Sequence, residues 1–123
     1  MSRYVIKGEN KIDGEVYISG SKNSALPIIA ACILNAGTTT LYNLPNIKDT
    51  NGMFEILRDL GCEIKKKGNK VIINSSNINK FQINDTLMRE MRSSVIIAGA
   101  LIARFRNAIF SYPGGCEIGA RPI

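Results

Sequence analysis

The sequence holds no histidine, no tryptophan and only three cysteines in 123 residues. Without histidine, Ser-His-Asp triads, histidine metal sites and imidazole proton shuttles are excluded. Cys32, Cys62 and Cys116 are an odd set without Cys-x-x-Cys spacing. That argues against a disulfide framework, leaves a zinc site without its fourth ligand, and reads as reduced thiols of a cytosolic protein. No apolar run is long. Residues 25–37 and 95–103 fall short of the roughly 18 residues a membrane span needs. Met1-Ser2-Arg3-Tyr4 has no signal pattern, so a soluble cytoplasmic protein without a membrane partner is expected. Low-complexity tracts are absent as well.

What remains is globular composition, 45% apolar and 21% charged, in a chain of about one domain. Sixteen Lys+Arg against ten Asp+Glu give a net charge of +6. Such an excess fits phosphate-bearing ligands, acidic partners or nucleic acid equally. Lys65-Lys66-Lys67 has no aromatic interleaved, so a solvated strand edge is favoured over nucleic-acid recognition.

Residues 4–7 and 15–19 are short β-rich stretches around the Asp13-Gly14 turn signal, and predict a hairpin or paired edge strands. Residues 25–36 are apolar nearly all round. Pro27 fits only an early helical turn, which places the helix start near Ser24. Apolar on every face, this helix is expected to be buried on every face, with sheet around it. Residues 38–43 predict a strand closed by Leu44-Pro45. Met53, Ile56, Leu57 and Leu60 then mark a helix capped by Asp49 or Thr50 and ended by Gly61. Residues 63–66 and 70–74, hinged at Gly68-Asn69, predict a β-hairpin. After Ser94 the order begins again, with an apolar helix over 95–103 and a strand over 108–112 closed by Pro113. Ser24 to Pro45 spans 21 positions and Ser94 to Pro113 spans 19, which suggests an internal repeat of about 70 residues. Residues 119–123 close no element, so the pattern predicts a fragment that stops early in its second unit.

Three loops carry candidate chemistry. Pro113-Gly114-Gly115-Cys116-Glu117-Ile118-Gly119 puts a thiol on a glycine-rich segment. Arg121 favours its thiolate and Glu117 opposes it. The segment is either a repositionable acid, base or nucleophile, or a spare cysteine in a turn. Lys22-Asn23 follows Gly20 and precedes a helix, where an ammonium and free backbone N–H groups make an anion site; a solvated lysine is the plainer reading. Arg92 stands before Ser93-Ser94, where a guanidinium can grip a phosphate bidentately. Arg104 and Arg106 sit where cations suit a helix C-terminus, and Cys62 and Tyr42 read as packing residues. Together Lys22, Arg92, Arg121 and Cys116 suggest a phosphorylated substrate and a cysteine acting on it.

Gly14-Glu-Val-Tyr-Ile-Ser-Gly-Ser-Lys-Asn23 with Ser24-Ala-Leu-Pro27 resembles the opening of the enolpyruvyl transferases that act on UDP-N-acetylglucosamine. So do Asn43-Leu-Pro-Asn-Ile-Lys-Asp49, Met91-Arg-Ser-Ser94 and Pro113-Gly-Gly-Cys-Glu-Ile-Gly-Ala-Arg-Pro122, in order and spacing across the whole chain. The sister enzymes acting on shikimate 3-phosphate lack the cysteine loop. The resemblance implies a mixed α/β fold, an inside-out α/β barrel of βαβαββ units in two domains, incomplete here. Residues 1–21 would be the strands that pair with the second domain, and residues 22–123 the first part of the first domain. It further implies transfer of the enolpyruvyl group of phosphoenolpyruvate to the 3-hydroxyl of UDP-N-acetylglucosamine, the first committed step of peptidoglycan synthesis, with a chain this short inactive alone. Lys22 and Asn23 would meet phosphoenolpyruvate and the sugar, Arg92 the substrate phosphates, and Arg121 both substrates. Pro122 and Ile123 would begin the uridine contact. Cys116 would be the general acid and the residue alkylated by the epoxide fosfomycin. No metal or organic cofactor is implied. A non-catalytic nucleotide-sugar-binding paralogue and a transferase with another acceptor are the alternatives.

Overall fold

A computed structural model describes residues 2–114. The elements are α1 (Lys22–Ala31), β1 (Thr38–Tyr42), α2 (Lys48–Leu60), β2 (Glu63–Lys67), β3 (Lys70–Asn74), α3 (Asp85–Glu90), a 3-10 turn (Arg92–Ser94) and α4 (Val95–Phe105). The three strands form one antiparallel sheet in the order β1-β3-β2. Thr38 stands opposite Asn74 and Tyr42 opposite Lys70. Lys67 opposite Lys70 leaves Gly68-Asn69 as the hairpin turn, with Gly68 at φ 57°. This is the conformation for which glycine carries no steric penalty, and the hairpin stands where the sequence predicts it.

The apolar face of α2 is the centre of the core. Met53, Phe54, Ile56, Leu57 and Leu60 are buried against Ile29 and Ile33, Ile73 of β3, and Ile97 and Leu101 of α4. The helix starts at Lys48, and Ile47 rather than Asp49 or Thr50 occupies the N-cap. Thr50 still serves the start from the third position: its Oγ1 accepts from the Ile47 N–H at 3.3 Å and donates to the Pro45 carbonyl at 2.7 Å. At the other end Gly61 takes the left-handed conformation, φ 112°, as predicted.

Four expectations are corrected. Residues 4–7 and 15–19 form no strand, and Tyr4, Val5, Ile6, Val16, Tyr17 and Ile18 are exposed; a lone two-stranded hairpin with nothing to cover its apolar side chains is marginal in water. Helix α1 begins at Lys22, two residues before Ser24, which puts Pro27 inside it. Proline there leaves the Asn23 carbonyl without its helical donor. The helix is buried on one face only. Ala25, Leu26, Ile29 and Ala30 pack inward, while Ile28 is 47% and Leu34, beyond the helix end, 52% exposed, because its neighbours are α2 and α4 and not a surrounding sheet. The strand expected over 108–112 is reduced to a parallel bridge between Gln82 and Ile109. Only residues 81–83 lie beside it, the Ile83 N–H donating to the Ile109 carbonyl at 2.9 Å.

Helix α3 was not predicted. Its N-cap Asn84 accepts through Oδ1 from the N–H groups of Thr86 at 2.9 Å and Leu87 at 3.3 Å. Its single buried residue, Met88, is too little for a periodic pattern. Beyond it, α4 runs to Phe105 with Ile97, Ala98, Ala100 and Leu101 buried.

Candidate active site

A cleft of about 560 Å³ opens between the N-terminus of α1 and the junction of α3 with α4. Lys22 and Asn23 line it from the first turn of α1, Asp49 from the first turn of α2, and Glu90, Met91, Arg92 and Ser93 from the junction. Leu26, Val95 and Ile96 supply apolar wall. Three residues singled out in the sequence, Lys22, Asn23 and Arg92, thus share one cavity although seventy positions separate the first from the last. Cys116, Arg121, Pro122 and Ile123 lie outside the described residues.

Local structure explains each position. Ser21 makes no side-chain cap and the first turn of α1 has no acidic residue, so early N–H groups of the helix face the cleft region without an anionic partner of their own. At the junction, Ser94 is fully buried and its hydroxyl donates to the carbonyls of Met91 at 2.6 Å and Met88 at 3.2 Å. Those bonds satisfy the end of α3 and fix the 3-10 turn that carries Arg92. Gly52 of α2 leaves room for Met91, whose Sδ would stand 3.0 Å from a Cβ there. The chain returns to the same place at Gly114, whose N–H donates to the Met88 carbonyl at 3.1 Å. A side chain on Gly114 would lie 1.5 Å from the Arg89 carbonyl oxygen, an approach only glycine permits.

The charges of the cleft are paired in sign, Lys22 and Arg92 against Asp49 and Glu90. The Lys22 ammonium lies 3.1 Å from the Asp49 carboxylate, with about half of the lysine side chain exposed. Sequence reading did not place the two acids in the site. Asp49 was considered only as a helix cap, and Glu90 belongs to the helix that was missed. The signal available was Asp49 closing the Asn43–Asp49 motif.

Other candidates fall outside the cleft. Lys66 is committed elsewhere, its ammonium donating to Asn51 Oδ1 at 2.6 Å and standing 4.9 Å from the Phe54 ring centroid. This agrees with a solvated edge for the lysine run. Cys32 and Cys62 are buried. Burial raises the Cys32 thiol pKa, and burial pushes Cys62 up to about 11 against the opposing pull of Arg104. Both are packing thiols, since the thiolate is the reactive form. Among the described residues no helix is long and apolar enough to cross a membrane.

Against known proteins, the sequence model of EPSP synthase (3-phosphoshikimate 1-carboxyvinyltransferase) matches residues 6–123. The chain belongs to the EPSP synthase family. Within that family it is 46% identical over its whole length to UDP-N-acetylglucosamine 1-carboxyvinyltransferase 2 of Caldanaerobacter subterraneus subsp. tengcongensis. It is 44% identical to UDP-N-acetylglucosamine 1-carboxyvinyltransferase of Psychromonas ingrahamii. The chain spans about 30% of the length of these relatives. The crystal structure of the enolpyruvyl transferase NikO from Streptomyces tendae superimposes with a TM-score of 0.71 at 25% identity, over 80% of this chain and 23% of that one. The described residues are accordingly part of the inside-out α/β barrel of the EPSP synthase family.

Proposed function

We propose that this chain contributes the phosphate-binding half of a UDP-N-acetylglucosamine 1-carboxyvinyltransferase active site, and that the complete gene product transfers the enolpyruvyl group of phosphoenolpyruvate to that sugar nucleotide. The observation that carries the reading is the convergence of Lys22, Asn23 and Arg92 on one cleft at a helix N-terminus. Full-chain similarity to proteins named for this activity supports it. Residues 1–21 act as strands that pair with a second domain, and residues 22–123 as the opening of the first. Nothing in the reading requires a metal or organic cofactor, and the reaction is the cytoplasmic entry into peptidoglycan synthesis.

The sugar 3-hydroxyl adds to the central carbon of phosphoenolpyruvate while a proton reaches its methylene carbon. The tetrahedral ketal then expels phosphate and leaves an enol ether. Two anionic substrates must meet, so Lys22 and Arg92 offset their repulsion and orient them. Asn23 holds the sugar beside phosphoenolpyruvate, Arg121 bridges both substrates, and Pro122 and Ile123 open the uridine contact. Cys116 delivers the methylene proton.

The test is release of phosphate from phosphoenolpyruvate by the complete gene product, with UDP-N-acetylglucosamine, with shikimate 3-phosphate, and with neither. Release only with the sugar nucleotide is expected, and release with shikimate 3-phosphate alone would reassign the acceptor. Fosfomycin is expected to add a single mass tag at Cys116 that Cys116→Ser abolishes. Sugar-nucleotide binding without turnover or tag would make the protein a binding paralogue.

A further inference from the structure

We propose that Asp49 is a positioning residue for Lys22, holding the lysine ammonium at the cleft so that an arriving phosphate group meets it in place. The inference rests on the reading that this cleft takes phosphate-bearing substrates. An acid in the wall of an anion site repels the ligand, so its presence there needs a reason, and the geometry supplies one.

Asp49 stands on a turn fixed from several sides. Asn43 opens that turn in the left-handed region, φ 56°, and its N–H donates to the Asn69 carbonyl at 3.0 Å. Gly20 packs on it so closely that a Cβ would come within 2.1 Å of the Asn43 carbonyl oxygen. Thr50, next to Asp49, is fully buried and bonded to the carbonyls of Pro45 and Ile47. Lys22 carries its charge on a flexible four-carbon stem at the first position of α1. When a mobile cation meets a fixed acid at 3.1 Å, the cation is the partner that becomes ordered. An ammonium has three donors. The Asp49 contact occupies one and leaves two, beside the uncapped first turn of α1, for a phosphate.

Two plainer roles give different results. As a mere counterion, Asp49 competes with the ligand, and its removal tightens anion binding. As an acid serving only the N-terminus of α2, it changes stability and leaves anion binding alone.

The experiment titrates the 123-residue chain with inorganic phosphate and follows the backbone amide resonances of Lys22 and Asn23. Asp49→Ser keeps a residue suited to a helix start, but its hydroxyl is too short to hold the ammonium. It is expected to weaken phosphate binding about fivefold, the scale of an exposed ion pair that also orders a lysine. Asp49→Asn still accepts from the ammonium and is expected to stay within about twofold of wild type on the same grounds. The fivefold loss should vanish in a Lys22→Met background. Unchanged or tighter binding in Asp49→Ser overturns the proposal and leaves the proposed function standing. A wild-type chain in which phosphate moves neither amide overturns both.

Discussion

Arg104 of α4 and Ser75 at the end of β3 are joined by a guanidinium–carbonyl hydrogen bond of 2.9 Å, and the same Nη1 also donates to the Ile33 carbonyl at 2.8 Å. Ser75 passes the link onward, its hydroxyl donating to the Asn35 carbonyl and its N–H to the Gly37 carbonyl. One cation therefore ties α4 to the end of the sheet and to the segment following α1. Arg104→Ala should cost about 2–3 kcal/mol, because charge-assisted bonds are lost and partly buried carbonyls are left unpaired. Arg104→Lys should recover less than half of that, since an ammonium lacks the planar fork. Urea unfolding midpoints of the three proteins check both expectations.

Thr50 offers a sharper case because its side chain is fully buried. Its hydroxyl donates to Pro45 at 2.7 Å and to Ile47 at 3.0 Å. Thr50→Val preserves shape and strands the carbonyls, so a loss of about 1–3 kcal/mol is expected. Thr50→Ser keeps the hydroxyl and should cost about 1 kcal/mol, for the missing methyl alone. Thermal melts that ranked serine below valine would contradict the hydrogen-bond account.

The sequence was most legible where a local rule and the tertiary fold agree. The Gly68-Asn69 hairpin, the amphipathic face of α2 and the Gly61 stop are such places. It misled where burial depends on a neighbour that composition cannot name. An apolar stripe such as that of α1 states that water is avoided, without saying which element covers it, and here only α2 and α4 do. Residues 4–7 and 15–19 have β propensity without a described partner strand. Of the cleft, Lys22, Asn23 and Arg92 were readable because each adjoins a helix start. Asp49 and Glu90 were not, since a single acid in a helical turn is also what a helix dipole attracts. The short α3 carried an Asn84-Asp85 start signal but only one buried side chain.

Gly61 combines two constraints that one substitution tests together. Its φ of 112° lies where side chains are disfavoured, and a Cβ would stand 2.7 Å from the Asn77 carbonyl oxygen. Gly61→Ala should therefore destabilise by about 1–3 kcal/mol through strain and overpacking. Gly68→Ala is the control, with positive φ but open space around the position, and about 1 kcal/mol is expected there. Equal losses at the two sites would show that the contact with residue 77 contributes nothing.

Cys62 gives the fold an alkaline limit. Its thiol is raised from 9.0 to about 11, first by burial, with Arg104 pulling down and Cys32 pushing up. Because the folded value lies above the unfolded one, folding favours the protonated thiol. Its contribution is intact below about pH 9 and is lost as pH rises towards 11. A two-unit difference corresponds to roughly 2–3 kcal/mol at the top of that window. Cys62→Ala should lose stability at pH 7 through the cavity it leaves, yet fall less steeply than wild type between pH 9 and 11. Parallel unfolding curves for the two proteins across that range would mean that the thiol ionises in the folded chain as readily as in water.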